Sequence, residues 1–367
     1  MAVWQCKMES MVNIQDTYRD KKVFITGHTG FKGSWLLAWL HSLGARVKGY
    51  ALAPENEYYL YNQIKGDTLC DSTISDIRDK ECLRNEIIDF NPDFIFHLAA
   101  QPLVRLSYEI PAETFDVNVM GTANVLDAVR FLSNPCAVIC ITTDKVYENK
   151  EWHYPYRESD RLGGYDPYSA SKAAAEIVIS SYRSSFFSHS SYETHKKSIA
   201  SARAGNVIGG GDWAIDRIIP DIIRAIQNDK VIQVRNPLSV RPWQHVLEPL
   251  YGYLSLGANM VQNPVKYADA WNFGPHIDDT LTVKELVEIA IQRYGYGEFE
   301  SLKLNDQPHE AGLLKLDINK TIHELEWMPK WNAKRAIMET INFYKALQNN
   351  KVEPLALMQE QISTYEL

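Results

Sequence analysis

The sequence predicts an α/β protein: a doubly wound parallel sheet with helices on both faces, followed by a smaller α/β lobe. Three observations predict it. Short β-branched and apolar runs alternate with stretches of helical apolar spacing through roughly the first 200 residues. A glycine cluster stands where the first such run meets the first helical stretch. The chain, at 367 residues, also exceeds what one core usually takes, roughly 100–200.

In chain order, residues 1–20 read as a polar leader. Lys7, Glu9 and Asp16 interrupt its apolar residues, so it lacks the continuous apolar run of a signal peptide. Lys22 to Thr26 is β-branched and aromatic and reads as a strand. Trp35 to Leu43 has helical spacing, and Val47 to Leu52 returns to strand character. The alternation continues through a helix over Lys80 to Phe90, a strand at Phe94 to Leu98 and a helix over Thr114 to Leu132. A strand at Ala137 to Thr142, an Ala-rich helix from Tyr168 to Phe187 and a strand at Ser198 to Ala204 follow. Residues 21–200 are therefore expected to form the sheet domain. Beyond Asn206 the texture changes to Gly209-Gly210-Gly211, a helical stretch over Asp216 to Gln227 and a turn at Asn236-Pro237. Residues 201–367 are expected to be mainly a substrate lobe, with some segments returning to the sheet domain.

Composition narrows the class of function. With 45% hydrophobic and 23% charged residues, the chain has the make-up of a folded globular protein. Thirty-eight Lys and Arg against 46 Asp and Glu leave a net charge of −8, which disfavours nucleic acid and anionic membrane as partners. The uncharged run from Pro249 to Val265 is too short and too polar for a membrane span. Five scattered cysteines, Cys6, Cys70, Cys82, Cys136 and Cys140, suggest a reducing, cytoplasmic setting. No His, Cys or carboxylate spacing suggests a catalytic metal.

Gly27, Gly30 and Gly33 are spaced three apart across the strand-to-helix junction Thr26-Gly27-His28-Thr29-Gly30-Phe31-Lys32-Gly33. Glycine there permits a sharp turn, close helix packing and approach of a pyrophosphate to helix N–H groups. This is a dinucleotide turn, although the spacing departs from GxGxxG. Glu55 stands slightly late for the acid that usually holds an NAD ribose, so NADP is not excluded. His28 and Lys32 can offer positive charge to a 2′-phosphate, or Lys32 can be a solvated helix-start residue. Asp76, ahead of Ile77, can accept from an adenine amine; equally, Asp76 or Asp79 can cap a helix.

Tyr168 and Lys172 lie one helical turn apart, where an ammonium favours phenolate and so activates a proton acceptor. Thr142-Thr143-Asp144-Lys145 closes an apolar strand, at the sheet end where open parallel sheets place their sites. A hydroxyl, an acid and an amine there can orient a substrate, donate a proton and accept one, or form a surface ion pair in a turn. Asn206, Arg217 and Arg241 stand near turns in the second lobe, where guanidinium groups can hold a diphosphate or make interlobe salt bridges. His97 ends a strand and reads as structural or as a ligand.

Five strings, Thr26 to Trp35, His97 to Arg105, Gly164 to Ser169, Arg203 to Trp213 and Arg241 to Leu250, together resemble the extended short-chain dehydrogenase/reductase family. The likeness spans Lys22 to Trp331 and is greatest to the CDP-linked sugar dehydratases of its nucleotide-sugar epimerase/dehydratase branch. The resemblance implies a Rossmann-like NAD domain, CDP-glucose as substrate and a 4-keto-6-deoxy sugar as product. It places Gly27, Gly30, Phe31, Lys32, Gly33, Asp76, Ile77, Leu98, Ala99 and Ala100 at the cofactor, with Tyr168 and Lys172. It makes Tyr168 the base for the 4-hydroxyl, Thr143 the hydrogen-bond partner of that oxygen and Asp144 the acid for water loss. Lys145 stands where the thymidine-linked dehydratases carry Glu, a departure from their pattern, and it can serve as the carbon 5 base only as the neutral amine. A homodimer packed through the helices after Thr114 and around Tyr168 is also implied. A nucleotide-sugar 4-epimerase would share the turn, Thr143, Tyr168 and Lys172 without needing the acid and base. A non-catalytic nucleotide sensor would need neither Tyr168 nor Lys172.

Overall fold

A computed structural model describes residues 13–301, 313–348 and 352–367. Six strands come from the first lobe: β1 (Lys22–Thr26), β2 (Arg46–Ala51), β3 (Asp71–Ile74), β4 (Phe94–His97), β5 (Cys136–Ile141) and β6 (Lys197–Ala204). With the edge strand Ala270–Phe273 they form one sheet in the order Ala270–Phe273, β6, β5, β4, β1, β2, β3. Every pairing in it is parallel. The central strands β4, β5 and β6 are buried throughout, because helices cover both faces and leave no wet side to alternate toward. One core lies under helices Phe31–Ser42 and Leu247–Gln262, the other under Lys80–Phe90 and Gly121–Val129. The strand order reverses at β1, which pairs with both β2 and β4. This is a Rossmann-like fold, whose ligand crevice lies at the carboxyl ends of the strands beside that reversal.

Four expectations need correction. Ile14–Tyr18 is helical, and Tyr18 is fully buried, donating to the Leu254 carbonyl at 2.9 Å and packing on Phe94. Residues 13–18 thus belong to the fold, because one large aromatic outweighs its polar neighbours. Residues 1–12 of the expected leader, with Cys6, lie outside the described residues. The helix expected over Thr114 to Leu132 begins at Pro111, opens into a π turn at Asp116–Met120 and ends at Val129. That turn aims Asn118 inward, where its amide donates to Ser171 Oγ at 2.8 Å and to the Gln101 carbonyl at 3.1 Å. Phe31–Ser42 starts four residues before its apolar pattern, because its first turn lines a cavity. Ile218–Gln227 starts two residues after the expected Asp216, whose backbone is left-handed at φ 60°.

The second lobe has its own core, in which Ile222 and Ile223 of one helix meet Leu286 and Ile337 of two others. The edge strand Ala270–Phe273 leaves this half of the sequence to complete the large sheet. No described helix is long and apolar enough to cross a membrane.

Candidate active site

A cavity of about 1330 Å³ opens at the carboxyl ends of the strands, between the sheet and the second lobe. Its first wall is the glycine turn. Gly27 has φ 77°, and a Cβ there would meet Ala99 N at 2.7 Å; a Cβ on Gly33 would meet Gly27 O at 2.1 Å. Glycine at these positions therefore lets helix, turn and the β4 loop close on one another. Gly30 caps the helix Phe31–Ser42 without a side-chain hydrogen bond, and Gly30, Phe31, Lys32 and Gly33 all line the cavity. An uncapped helix start facing a cavity suits the pyrophosphate of a dinucleotide. Asp76, Ile77, Leu98, Ala99 and Ala100 line the same wall.

His28 is fully buried, bonded to Ser72 Oγ at 2.8 Å, and burial lowers it to about 4. It is neutral near pH 7, so the positive charge expected of it is absent. Lys32 is half-buried on the cavity wall instead of solvated. Burial, then the Arg217 and Lys172 charges, bring its ammonium down to about 7 against the pull of Asp144. Asp79, not Asp76, caps the helix Lys80–Phe90, accepting from Cys82 N at 3.0 Å. Asp76 holds Arg78 instead, at 2.6 Å through Nη2, and that hydrogen bond keeps its carboxyl low. His97 is structural: its ring nitrogens bond Thr26 Oγ1 at 2.7 Å and Thr122 Oγ1 at 3.0 Å, and burial holds it at about 3.

The strand β5 delivers Thr143, Asp144 and Lys145 to the cavity floor, opposite Tyr168 and Lys172 on the helix Pro167–Ser185. Asp166 caps this helix by accepting from Ser169 N, and Pro167 sets its first turn, so Tyr168 is fixed one residue inside a well-formed start. Tyr168 and Lys172 are both nearly buried. In the protein alone, burial pushes the Tyr168 phenol up to about 12, with the Thr143 hydroxyl pulling the other way and Asp144 adding to the rise. The activation expected from Lys172 does not show in the protein alone: the Thr143 hydrogen bond and the Arg217 charge are what pull the phenol down, and burial outweighs them. Lys172 itself is lowered by burial to about 8 and donates to the Ile141 carbonyl at 3.1 Å. Both oxygens of Asp144 are engaged. Thr143 Oγ1 donates to Oδ1 at 2.9 Å and Asn206 Nδ2 donates to Oδ2 at 3.3 Å. Lys145 lies half-buried on the same wall.

Asn206, Arg217 and Arg241 line the opposite wall, as do Arg105 and Arg235, which the sequence reading passed over. Arg217 bonds Asp212 at 2.8 Å, and that carboxylate raises the guanidinium. Asp216 bridges Arg235 at 2.9 Å and Arg105 at 3.8 Å. Two other supports were missed. Gly205 follows β6 directly and so lands beside the residues that follow β5, a neighbourhood only the strand order reveals. Gln244 lies in one of the quoted strings, but its grip on the Gly205 carbonyl at 2.9 Å has no local signature. Among the described residues, no three His, Cys, Asp or Glu converge as metal ligands.

The family model described as GDP-mannose 4,6-dehydratase matches residues 24–340 of this chain. A CDP-glucose 4,6-dehydratase of Salmonella typhimurium is 47% identical over 348 residues, which are 95% of this chain and 97% of that protein. Among solved structures, a dTDP-glucose 4,6-dehydratase from Streptomyces venezuelae with NAD bound has TM-score 0.74 at 21% identity, covering 91% of this chain and 99% of that one. A UDP-glucose 4-epimerase from Stenotrophomonas maltophila, also with NAD, has TM-score 0.77 at 19% identity, covering 90% and 99%. The glycine turn, the paired Tyr168 and Lys172 and the Rossmann-like sheet accord with this likeness over nearly the whole length, and the chain belongs to the GDP-mannose 4,6-dehydratase family, among the extended short-chain dehydrogenases/reductases.

Proposed function

We propose that this chain is an NAD-dependent CDP-glucose 4,6-dehydratase, converting CDP-D-glucose to CDP-4-keto-6-deoxy-D-glucose and water. The observation that carries the reading is the meeting of Asp144 and Lys145 with Thr143 and Tyr168 in one cavity. An epimerase needs the last two residues; only a dehydratase needs a separate acid and base beside them. The 47% identical relative supports CDP-glucose as the substrate.

NAD, when bound, would supply the acceptor and then the donor for one hydride. Gly27, Gly30 and the helix start at Phe31 would hold its pyrophosphate, and Asp76 and Ile77 its adenosine end. Tyr168, once ionised beside the positive charges that Lys172 and a bound nicotinamide would supply, removes the proton of the 4-hydroxyl, and Thr143 hydrogen-bonds that oxygen. Lys172, held on the Ile141 carbonyl, presents its charge from inside the helix. Once carbon 4 is a carbonyl, the proton on carbon 5 becomes acidic, and Lys145 takes it in its neutral amine form. Asp144 protonates the departing 6-hydroxyl, which leaves as water. Arg217 and Arg241 bind the diphosphate, with Asn206 at its sugar side.

We infer a cytoplasmic homodimer. Tyr108, Phe115, Met120 and Ile177 are 42, 37, 50 and 61% exposed, on or beside the helices that follow Val104 and Pro167. Their exposure supports a partner helix pair on that face.

Turnover with NAD compared across CDP-, dTDP-, UDP- and GDP-glucose tests reaction and nucleotide together. A 4-keto-6-deoxy product from CDP-glucose alone is expected; CDP-galactose instead would establish an epimerase.

A further inference from the structure

Asp144 separates two cavities. In front lies the large one; behind lies a second of about 10 Å³, and Asp144 and Gly205 line both. That volume holds about one water molecule. Gln244, 1% exposed, forms part of the rear wall. Its Nε2 donates to the Gly205 carbonyl at 2.9 Å and the Phe273 carbonyl at 3.1 Å, so the amide is firmly oriented. Its Oε1 is buried and has no partner among the described residues. The outer end of the rear cavity is formed by His276 and Ile277, both exposed, with Thr280 and Lys315 beside them.

The reaction proposed above leaves a proton imbalance inside the protein. The O–H bond at carbon 4 breaks and its proton goes to Tyr168. The C–H bond at carbon 5 breaks, and its proton is returned to carbon 5 when hydride arrives at carbon 6. The bond from carbon 6 to oxygen breaks as Asp144 gives that oxygen a proton, and water leaves. After one turnover Tyr168 holds one proton more and Asp144 one fewer, although substrate, product and water balance. Asp144 must be reprotonated before each new cycle.

Resting on that reading of the active site, we propose that Asp144 regains its proton from solvent through the rear cavity. A single water donates one hydrogen to Gln244 Oε1 and gives the other to the Asp144 carboxylate as it accepts a replacement proton from solvent at the His276 end, so no hydroxide is left behind. The entrance beside His276 admits protons but nothing as large as substrate. Tyr168 returns its proton to solvent through the front when product leaves, so the two transfers use opposite faces.

Two substitutions narrow the rear cavity without touching the reacting groups: Gly274→Ala, whose added Cβ would lie 3.6 Å from Leu316 Cβ, and Thr280→Ile at the rim. With enzyme in excess, one turnover uses the proton already on Asp144, so its rate should match wild type. Steady-state turnover should fall about tenfold, since a proton-transfer step has become limiting. A folded variant with unchanged steady-state turnover, or with both rates lowered equally, would overturn the proposal. Product formation by wild type separates the two readings: none refutes the dehydratase, while product with unaltered variants refutes only the rear route.

Discussion

The carboxylate of Asp144 lies directly against the bare Cα of Gly205: a Cβ at that position would come within 2.0 Å of Asp144 Cγ. No small shift accommodates such a contact, because Thr143 and Asn206 hold both carboxylate oxygens. The next residue, Asn206, keeps its hold from a left-handed backbone at φ 51°, stabilised by β-pairing of Val207–Ile208 with Gln244–His245. One strand end thus builds the seat for the proposed acid that another strand end supplies.

Gly205→Ala should therefore displace Asp144 while leaving Tyr168 and Lys172 in place. Displacement of a reacting group by about 1 Å costs roughly 10²-fold, so product formation should fall by about that factor. Oxidation at carbon 4 should continue, seen as absorbance of reduced cofactor after substrate is added. A variant with wild-type product formation would remove Asp144 from the acid role.

Tyr168→Phe removes the proposed proton acceptor for the first hydride transfer. The expected loss is about 10²–10⁴-fold in cofactor reduction on adding substrate. The ring stays in its pocket, so the circular dichroism spectrum and melting temperature should remain those of wild type. Normal turnover by this variant would exclude the assigned role.

Lys145→Ala should separate the half-reactions from the other side. Carbon 4 is oxidised, but the carbon 5 proton stays, so reduced cofactor accumulates and product formation falls about 10²-fold or more. Rapid-mixing absorbance at the reduced-cofactor band measures both. Product formation at the wild-type rate would place the base elsewhere.

Glu248 gives a pH prediction about stability. It is fully buried and accepts from Trp331 N at 2.6 Å and Tyr365 Oη at 2.6 Å, tying the C-terminal helix Pro354–Glu366 to the body. Burial raises its carboxyl from 4.5 to about 7, against the hydrogen bonds from Tyr365, Trp331 and Lys330 and the Lys330 charge. A folded-state value above the unfolded one means that the folded protein favours the neutral acid. That stabilisation is complete below about 4.5 and is lost as pH rises through about 7, on the order of 3 kcal/mol. Glu248→Gln cannot ionise, so its melting temperature should fall less than that of wild type over this interval. Equal pH slopes would mean that Glu248 stays charged throughout.

Much of the sheet domain was legible because its signals are local. The strand at Lys22–Thr26 and the helix at Lys80–Phe90 follow from apolar runs and spacing within a single element. The pairing of Tyr168 with Lys172 is one helical turn, and the glycine turn is a short stretch with its own steric logic. Where the reading failed, the deciding partner lay far along the chain. Tyr18 is held by Leu254, and neither residue predicts the other from its neighbours. His28 looked like a cation in a nucleotide turn and became a neutral ring against Ser72, because burial outweighs the residue's ordinary basicity.

Sequence alone determined the class of fold, the nucleotide turn and the residue types proposed for acid–base chemistry, since each depends on residues within a turn or two of one another. Tertiary structure decided which of them meet and in what state: Asn206 on Asp144, Lys32 on the cavity wall, and a phenol at Tyr168 that burial raises in the protein alone. The reason is physical. Hydrogen-bond partners and desolvation are set by which strand ends lie side by side, and strand order is a property of the whole chain.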